Sequence, residues 1–337
     1  MVRVVGIEPT LLAEPDFESG ASTSSTTPAS AVTCPKSAPA STSHGQIRIG
    51  VSGWTYLPWR GNFYPEGLRQ KDELRYAAAR FPALEINGTF YGMQTPHSFG
   101  QWAAASPDGF VFAVKGPRFL THILRLRNIE TPLANFFASG PLSLGQKLGP
   151  ILWQFPPNFG FDPGLVEAFF ELLPRDGFAA ASLAKRHDHR LRAPAYLEHA
   201  GVGAIRHAME IRHPGFRDPR FIELLKRHNV ALVVADTVDW PLLMDSTADF
   251  VYCRLHGGEE LYKSSYSDAE LDRWAARLRA WSTGAPMLDG NFVTAPEDSP
   301  IPRDAYLFFD NTDKLMAPLN AAALMDRLDI SPLSPTG

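Results

Sequence analysis

Between residues 47 and 328 the chain repeats one pattern. A short run rich in β-branched and aromatic residues leads into a polar or glycine-containing turn, and a segment of helical period follows. The spacing predicts strands at 47–51, 83–87, 110–115, 150–155, 205–212, 230–236, 250–255 and 306–310. Helices are predicted at 72–80, 96–105, 133–144, 165–173, 221–228, 268–281 (capped by Ser267) and 319–328. Strands that alternate with helices over ~290 residues define the α/β class, and eight of them a single-domain (β/α)8 TIM barrel. The competing architecture is a doubly wound open sheet. It usually opens on a glycine-rich dinucleotide turn, and neither GxGxxG nor GxxxxGK[ST] occurs in this chain.

Composition sets the outer bounds. The chain has 337 residues, 45% of them hydrophobic and 20% charged, which supports a sizeable core. A formal net charge of -4 opposes a nucleic-acid or membrane-surface protein selected by bulk charge. The two cysteines, Cys34 and Cys253, give no disulfide framework, and a cytoplasmic location is expected. No apolar run is long enough to span a bilayer, and no membrane partner is expected. Residues 1–46 differ in kind: 21–43 is almost entirely Ala, Ser, Thr and Pro without periodicity. Such a stretch is expected to be a disordered extension, or the product of a start codon assigned too early, with the domain at 47–330 and a tail at 331–337. It lacks the basic start and apolar core of a secretory signal, and its acidic residues oppose a transit peptide.

The stretch FVYCRLHGGEELYKSSY (250–266) shows where chemistry is expected. On its strand Tyr252, Arg254 and His256 share one face. Counting by twos along the other strands gives an inward set at the carboxyl ends: Glu85, Asn87, Lys115, Gln154, Glu210, Arg212, Asp236, Arg254, His256 and Asp310. A barrel interior is normally filled by branched apolar residues, so a layer this polar faces a ligand or forms a self-satisfied ion-pair network. Carboxylates and cations are nearly balanced in it. A dedicated divalent-metal site avoids cations in its shell, so neither metal nor cofactor is expected. Glu210 and His213 invite a metal reading, but on a strand they point to opposite faces. The histidines of the run KRHDHR (185–190), inside a charged excursion at 175–203, are expected to be solvated. Lys115, Arg212 and Arg254 suit an anionic group. Trp54, Tyr56, Tyr91 and Tyr262 in the following loops suit stacking on a sugar ring or a base.

The segments GVSGWTYLPWRGNFYP, LEINGTFYGM, FAVKGPRFLTH, KLGPILWQFPPNF, RHAMEIRHPGF and LFFDNTDKLMAPLNA, with the stretch at 250–266, resemble the YecE-like family, domain of unknown function 72. The resemblance runs in the family's order over roughly residues 47–328 and implies a TIM barrel. Val51 stands where a threonine is usual and Thr312 where an aspartate is common. Positions matching the family's recurrent motifs are Glu85, Asn87, Lys115, Arg118, His122, Gln154, Glu210, Arg212, His213, Asp236, Arg254, His256, Asp310 and Asn311. The family supplies no reaction to transfer onto them.

The expected function is an enzyme acting on a small anionic substrate: a phosphorylated sugar, a nucleotide-like fragment or a sugar acid. Glu85, Glu210, His256, Asp236 and Asp310 are the candidate acid–base groups. Asn87, Lys115, Arg118, His122, Gln154, Arg212, Arg254 and Asn311, with the four aromatics, are the candidate binding groups. The alternatives are a nucleic-acid-binding or endonuclease IV-like phosphoesterase acting on damaged strands, and a non-catalytic metabolite sensor.

Overall fold

The computed structural model describes residues 44–238, 240–257, 265–310 and 315–333. Eight parallel strands form a closed barrel in chain order: β1 (Ile47–Ser52), β2 (Ala83–Ile86), β3 (Val111–Lys115), β4 (Leu148–Gln154), β5 (His207–Glu210), β6 (Val230–Asp236), β7 (Phe250–Leu255) and β8 (Asp304–Phe309). β8 closes on β1 through the register Ile47↔Ala305 to Val51↔Phe309. The helices are α1 (Glu73–Ala78), α2 (Gly88–Tyr91), α3 (Pro96–Ala105), α4 (Glu130–Ala138), α5 (Pro163–Leu172), α6 (Gly177–Ala184), α7 (Pro219–Arg227), α8 (Asp268–Thr283) and α9 (Ala317–Arg327). The (β/α)8 barrel expected from the alternation is the fold observed.

Two apolar layers separate because strand side chains alternate. Residues such as Ile49, Leu84, Val114, Trp153 and Cys253 pack outward, in the layer that meets the helices. The inward layer is filled unevenly. Ala83, Ala113, Ala208, Ala231 and Ala235 line β2, β3, β5 and β6, while Phe250, Tyr252, Tyr306 and Phe308 reach in from β7 and β8. The alanines leave the volume that the four rings occupy. Gly50 belongs to the same crowding: a Cβ there would lie 1.9 Å from the Ala83 carbonyl oxygen, so the β1–β2 approach requires glycine.

One expectation changes. The helix predicted at 133–144 ends at Ala138, because Gly140 takes φ 123° and Pro141 begins a separate 3-10 turn. In the excursion the regular helix is α6, which precedes the charged run. That run is tied down at one point. Asn135 Nδ2 donates to Asp188 Oδ1 at 2.9 Å, and Asp188 N donates back to Asn135 Oδ1 at 2.9 Å.

Ser267 caps α8 as expected: its Oγ accepts from Glu270 N, and Glu270 Oε2 accepts from Ser267 N. Ser267→Ala should lower stability by about 1 kcal/mol. A urea midpoint unchanged by the substitution would show that the cap contributes nothing.

Candidate functional site

The barrel's carboxyl end is closed by a buried charged layer built on Arg254. Its guanidinium is fully buried, and Nε and Nη2 donate to the two oxygens of Glu85 at 3.1 and 2.9 Å. Nη1 donates to Glu210 Oε2 at 2.7 Å, and Nη2 also to Asp310 Oδ2 at 2.6 Å. Glu85 takes two further donors, Ser52 Oγ at 2.7 Å and Tyr252 OH at 2.6 Å. Glu210 Oε1 accepts from Gln154 Nε2 at 2.9 Å and from Nε and Nη2 of Arg212 at 3.0 and 2.6 Å. Both glutamates are fully buried and each takes four donors, which is what makes burying them tolerable. Burial alone would raise the pKa of Glu210, but Arg254 and Arg212 together hold it well below the usual carboxylate range.

This geometry divides the residues expected to act together. Arg254 was expected to clamp an anion, yet its N–H groups are committed to three carboxylates, so Lys115 and Arg212 are the inward cations left for a ligand. Glu85 and Glu210, expected as proton carriers, are saturated and form the framework. Asp236 does not join them. The inward residues of β6 are Ala231, Val233 and Ala235; Asp236 points the other way and accepts from Trp274 Nε1 of α8 at 3.1 Å. Period-two counting from the strand's end put it on the wrong face. Burial raises its pKa, against the hydrogen bonds from Trp274 and Tyr266.

Above the layer, Lys115 at the end of β3 is only 7% exposed. Its Nζ lies 4.3 Å from the centroid of the Phe90 ring and has no hydrogen bond or ion pair among the described residues. Burial, with Arg254 nearby, brings its pKa down to about 8. Arg212, its side chain 24% exposed, keeps Nη1 without a described partner while Nη2 lies 3.1 Å from His256 Nε2. Burial and then Arg254 push the His256 pKa down to about 4, so the imidazole is neutral. Its Nε2 therefore accepts from Arg212, which leaves the proton on Nδ1, 3.6 Å from Asp310 Oδ2. His122 bonds Thr121 Oγ1 through Nδ1 at 2.8 Å, edge-on to Phe90, and burial followed by Arg118 lowers its pKa.

On the β1–β2 side an open groove of about 420 Å3 is lined by Trp54, Tyr56, Asn87, Gln94 and Trp102. Tyr56 OH donates to the Ser52 carbonyl at 2.7 Å, and burial, with Asp310, raises its pKa. Asn87 Oδ1 is buried and has no hydrogen-bond partner among the described residues. Trp54 packs edge-on to Trp102 and Phe112. Tyr91 and Arg118 line a different cavity, between the loops that follow β2 and β3. Tyr262 and Asn311 lie outside the described residues. Sequence reasoning missed Ser52, which lies just beyond the strand predicted at 47–51, and the bond from Tyr252 to Glu85. The signal for Tyr252 was present, since it shares a face with Arg254. Among the described residues no three His, Cys, Asp or Glu side chains are grouped to hold a metal ion, and no helix is long and apolar enough to cross a membrane.

The closed ring of parallel strands and the charged layer at its mouth define a (β/α)8 barrel with its candidate site at the carboxyl ends of the strands. The family described as "Protein of unknown function DUF72" matches residues 48–336, and the chain belongs to it. The UPF0759 protein YunF of Bacillus subtilis (strain 168) is 28% identical over 118 residues, 34% of this chain and 41% of that protein. The UPF0759 protein YecE of Escherichia coli (strain K12) is 27% identical over 114 residues, 34% of this chain and 39% of that protein. The chain thus spans well under half the length of these curated relatives in the matched stretches. A DUF72 family protein from Thermotoga maritima superposes with a TM-score of 0.64 at 26% identity, covering 84% of this chain and 99% of that one. One from Enterococcus faecalis gives 0.62 at 17% identity, covering 87% and 99%, a likeness of fold alone.

Proposed function

We propose that the protein is an enzyme acting on a small, hydroxyl-bearing anion of the sugar-phosphate or sugar-acid kind, bound at the carboxyl end of the barrel. The observation that carries this is Lys115, a nearly buried lysine whose Nζ has no hydrogen-bonding or ionic partner among the described residues. A cation held that way is costly until an anion compensates it. Arg212 Nη1 offers a second contact from the neighbouring part of the mouth. Asn87 Oδ1, buried and unsatisfied, suits a donated hydroxyl. Trp54 and Tyr56 give the groove an aromatic wall of the sort that covers a sugar ring. With its pKa near 8, Lys115 is mostly protonated at neutral pH and available to hold the anion. Arg254, Glu85 and Glu210 would hold the other groups in place without exchanging protons themselves.

Titration calorimetry with ribose 5-phosphate tests this. Binding should weaken above pH 8, approaching about tenfold per pH unit as the free protein loses the Lys115 proton. The ester's own phosphate is fully ionised there and contributes no slope. Absence of binding at millimolar ribose 5-phosphate, inorganic phosphate and gluconate alike would overturn the proposal, as would an affinity that stays flat from pH 7 to 9.5.

A further inference from the structure

We propose that the cavity beside the mouth is a second ligand site, one that takes an aromatic carboxylate. This goes beyond the reading of the mouth and does not depend on it. The cavity holds about 220 Å3 between Phe90, Pro117, Phe119, Leu120 and Pro132, with Arg118 and Arg190 at its edge.

Size limits the occupant. An apolar cavity of about 150 Å3 accepts benzene, so this one holds a single ring with a side chain of about two or three atoms. Charge gives the sign. The lining carries two guanidinium groups and no carboxylate. Arg118 makes no hydrogen bond or ion pair among the described residues, and Arg190 has only Asp188 at 3.6 Å. An apolar chamber edged by two underused guanidiniums matches an apolar body with one carboxylate, which arginine binds through two parallel hydrogen bonds.

The surroundings are built for it. Asn135 spends its amide on Asp188, which fixes the charged excursion against α4 and brings Arg190 to the cavity. Here the excursion acquires a role that its sequence did not suggest. Tyr91, Met93 and Phe119 stand 74%, 45% and 43% exposed around the same opening, apolar surface that a bound ring would cover. Phe90 is a wall common to both sites, with Lys115 Nζ 4.3 Å from its ring centroid.

Phenylacetate is the probe, added to the full chain and followed by saturation-transfer NMR and calorimetry. Gly92 supplies a plug. It lines the cavity, its φ of −163° is extended backbone, and an added Cβ meets nothing within 4 Å, so Gly92→Phe sets a ring at the opening without backbone strain. Phenylacetate should bind, with at least tenfold weaker binding in Gly92→Phe and in Arg118→Met, and phenylacetamide should bind at least tenfold more weakly than phenylacetate. Ribose 5-phosphate binding should be unchanged in Gly92→Phe. Should that variant not fold, Met93→Trp at the rim serves as the second plug. No phenylacetate binding at millimolar concentration overturns the proposal. So does binding that is indifferent to both variants and lost only in Lys115→Met, which would put the ligand in the mouth. A Gly92→Phe variant that dissociates an oligomer, in a protein that binds no phenylacetate, would make this face a contact between copies of the chain and overturn it equally.

Discussion

Arg254→Met should lower stability in urea by about 3–5 kcal/mol, the cost of leaving buried charges without their counter-ion. Glu85, Glu210 and Asp310 converge on that guanidinium within hydrogen-bonding distance. Without it, two fully buried glutamates and the partly exposed Asp310 face one another with no guanidinium between them. The pH dependence should reverse as well. In the parent, Glu210 is held below its ordinary pKa of 4.5, so its contribution is present above that value and is lost as pH falls through the lower folded value. In Arg254→Met the crowded carboxylates bind protons more readily folded than unfolded, so stability should rise as pH falls from 7 toward 5. Arg254→Lys should rescue little, because one ammonium cannot span Glu85 side-on while also reaching Glu210 and Asp310. A loss below 1 kcal/mol, or parent and variant curves that run parallel from pH 5 to 8, would mean that the layer is not held by this residue.

Lys115→Met should do the opposite to stability while removing anion binding. The amine's pKa is brought from 10.5 to about 8, so the folded chain resists carrying that proton. At pH 7 the corresponding cost is about 3 kcal/mol at most, and the lost contact with Phe90 subtracts part of the gain. A net stabilisation of roughly 1–3 kcal/mol is expected for the isosteric apolar side chain. Between pH 8 and 10.5 the unfolded chain holds more of this proton than the folded one. The parent's stability therefore rises through that window, and the variant's advantage should shrink toward zero by its upper end. Ribose 5-phosphate should bind the variant at least tenfold more weakly, without the slope above pH 8. A variant less stable than the parent at pH 7, with affinity unchanged, would make Lys115 an ordinary packing residue. Stability measured by urea unfolding and affinity by calorimetry separate the two halves of the expectation.

The barrel was legible because eight runs keep a period of two and the segments between them keep a helical one. The strands at 230–236 and 250–255 and the helix at 96–105 match residue for residue. The helix predicted at 133–144 failed at Gly140, whose positive φ a periodicity count does not see. The charged layer was legible in membership but not in roles. Counting by twos assembled Glu85, Gln154, Glu210, Arg212, Arg254, His256 and Asp310, and these do meet. It could not show that Arg254 would be consumed by the carboxylates, since that depends on distances across the barrel. The same counting, begun at the end of β6, put Asp236 on the inward face, where a shift of one residue reverses the side. The alternative of a self-satisfied network describes the lower part of the layer, and the ligand reading rests on what lies above it. The cavity at Arg118 and Arg190 had no signature, because its lining comes from four separate segments between residues 90 and 190.

The uneven filling of the barrel makes its two flanks differ in evolutionary latitude. On the alanine strands a larger side chain would collide with rings already in place, so those positions can hardly grow. On β7 and β8 a smaller one would open a void, so those positions can hardly shrink. Tyr252 is bound by both rules, since it fills space and its hydroxyl holds Glu85. Drift in ligand preference is therefore channelled into the loops above the strands, and the interior of such a barrel should diverge last.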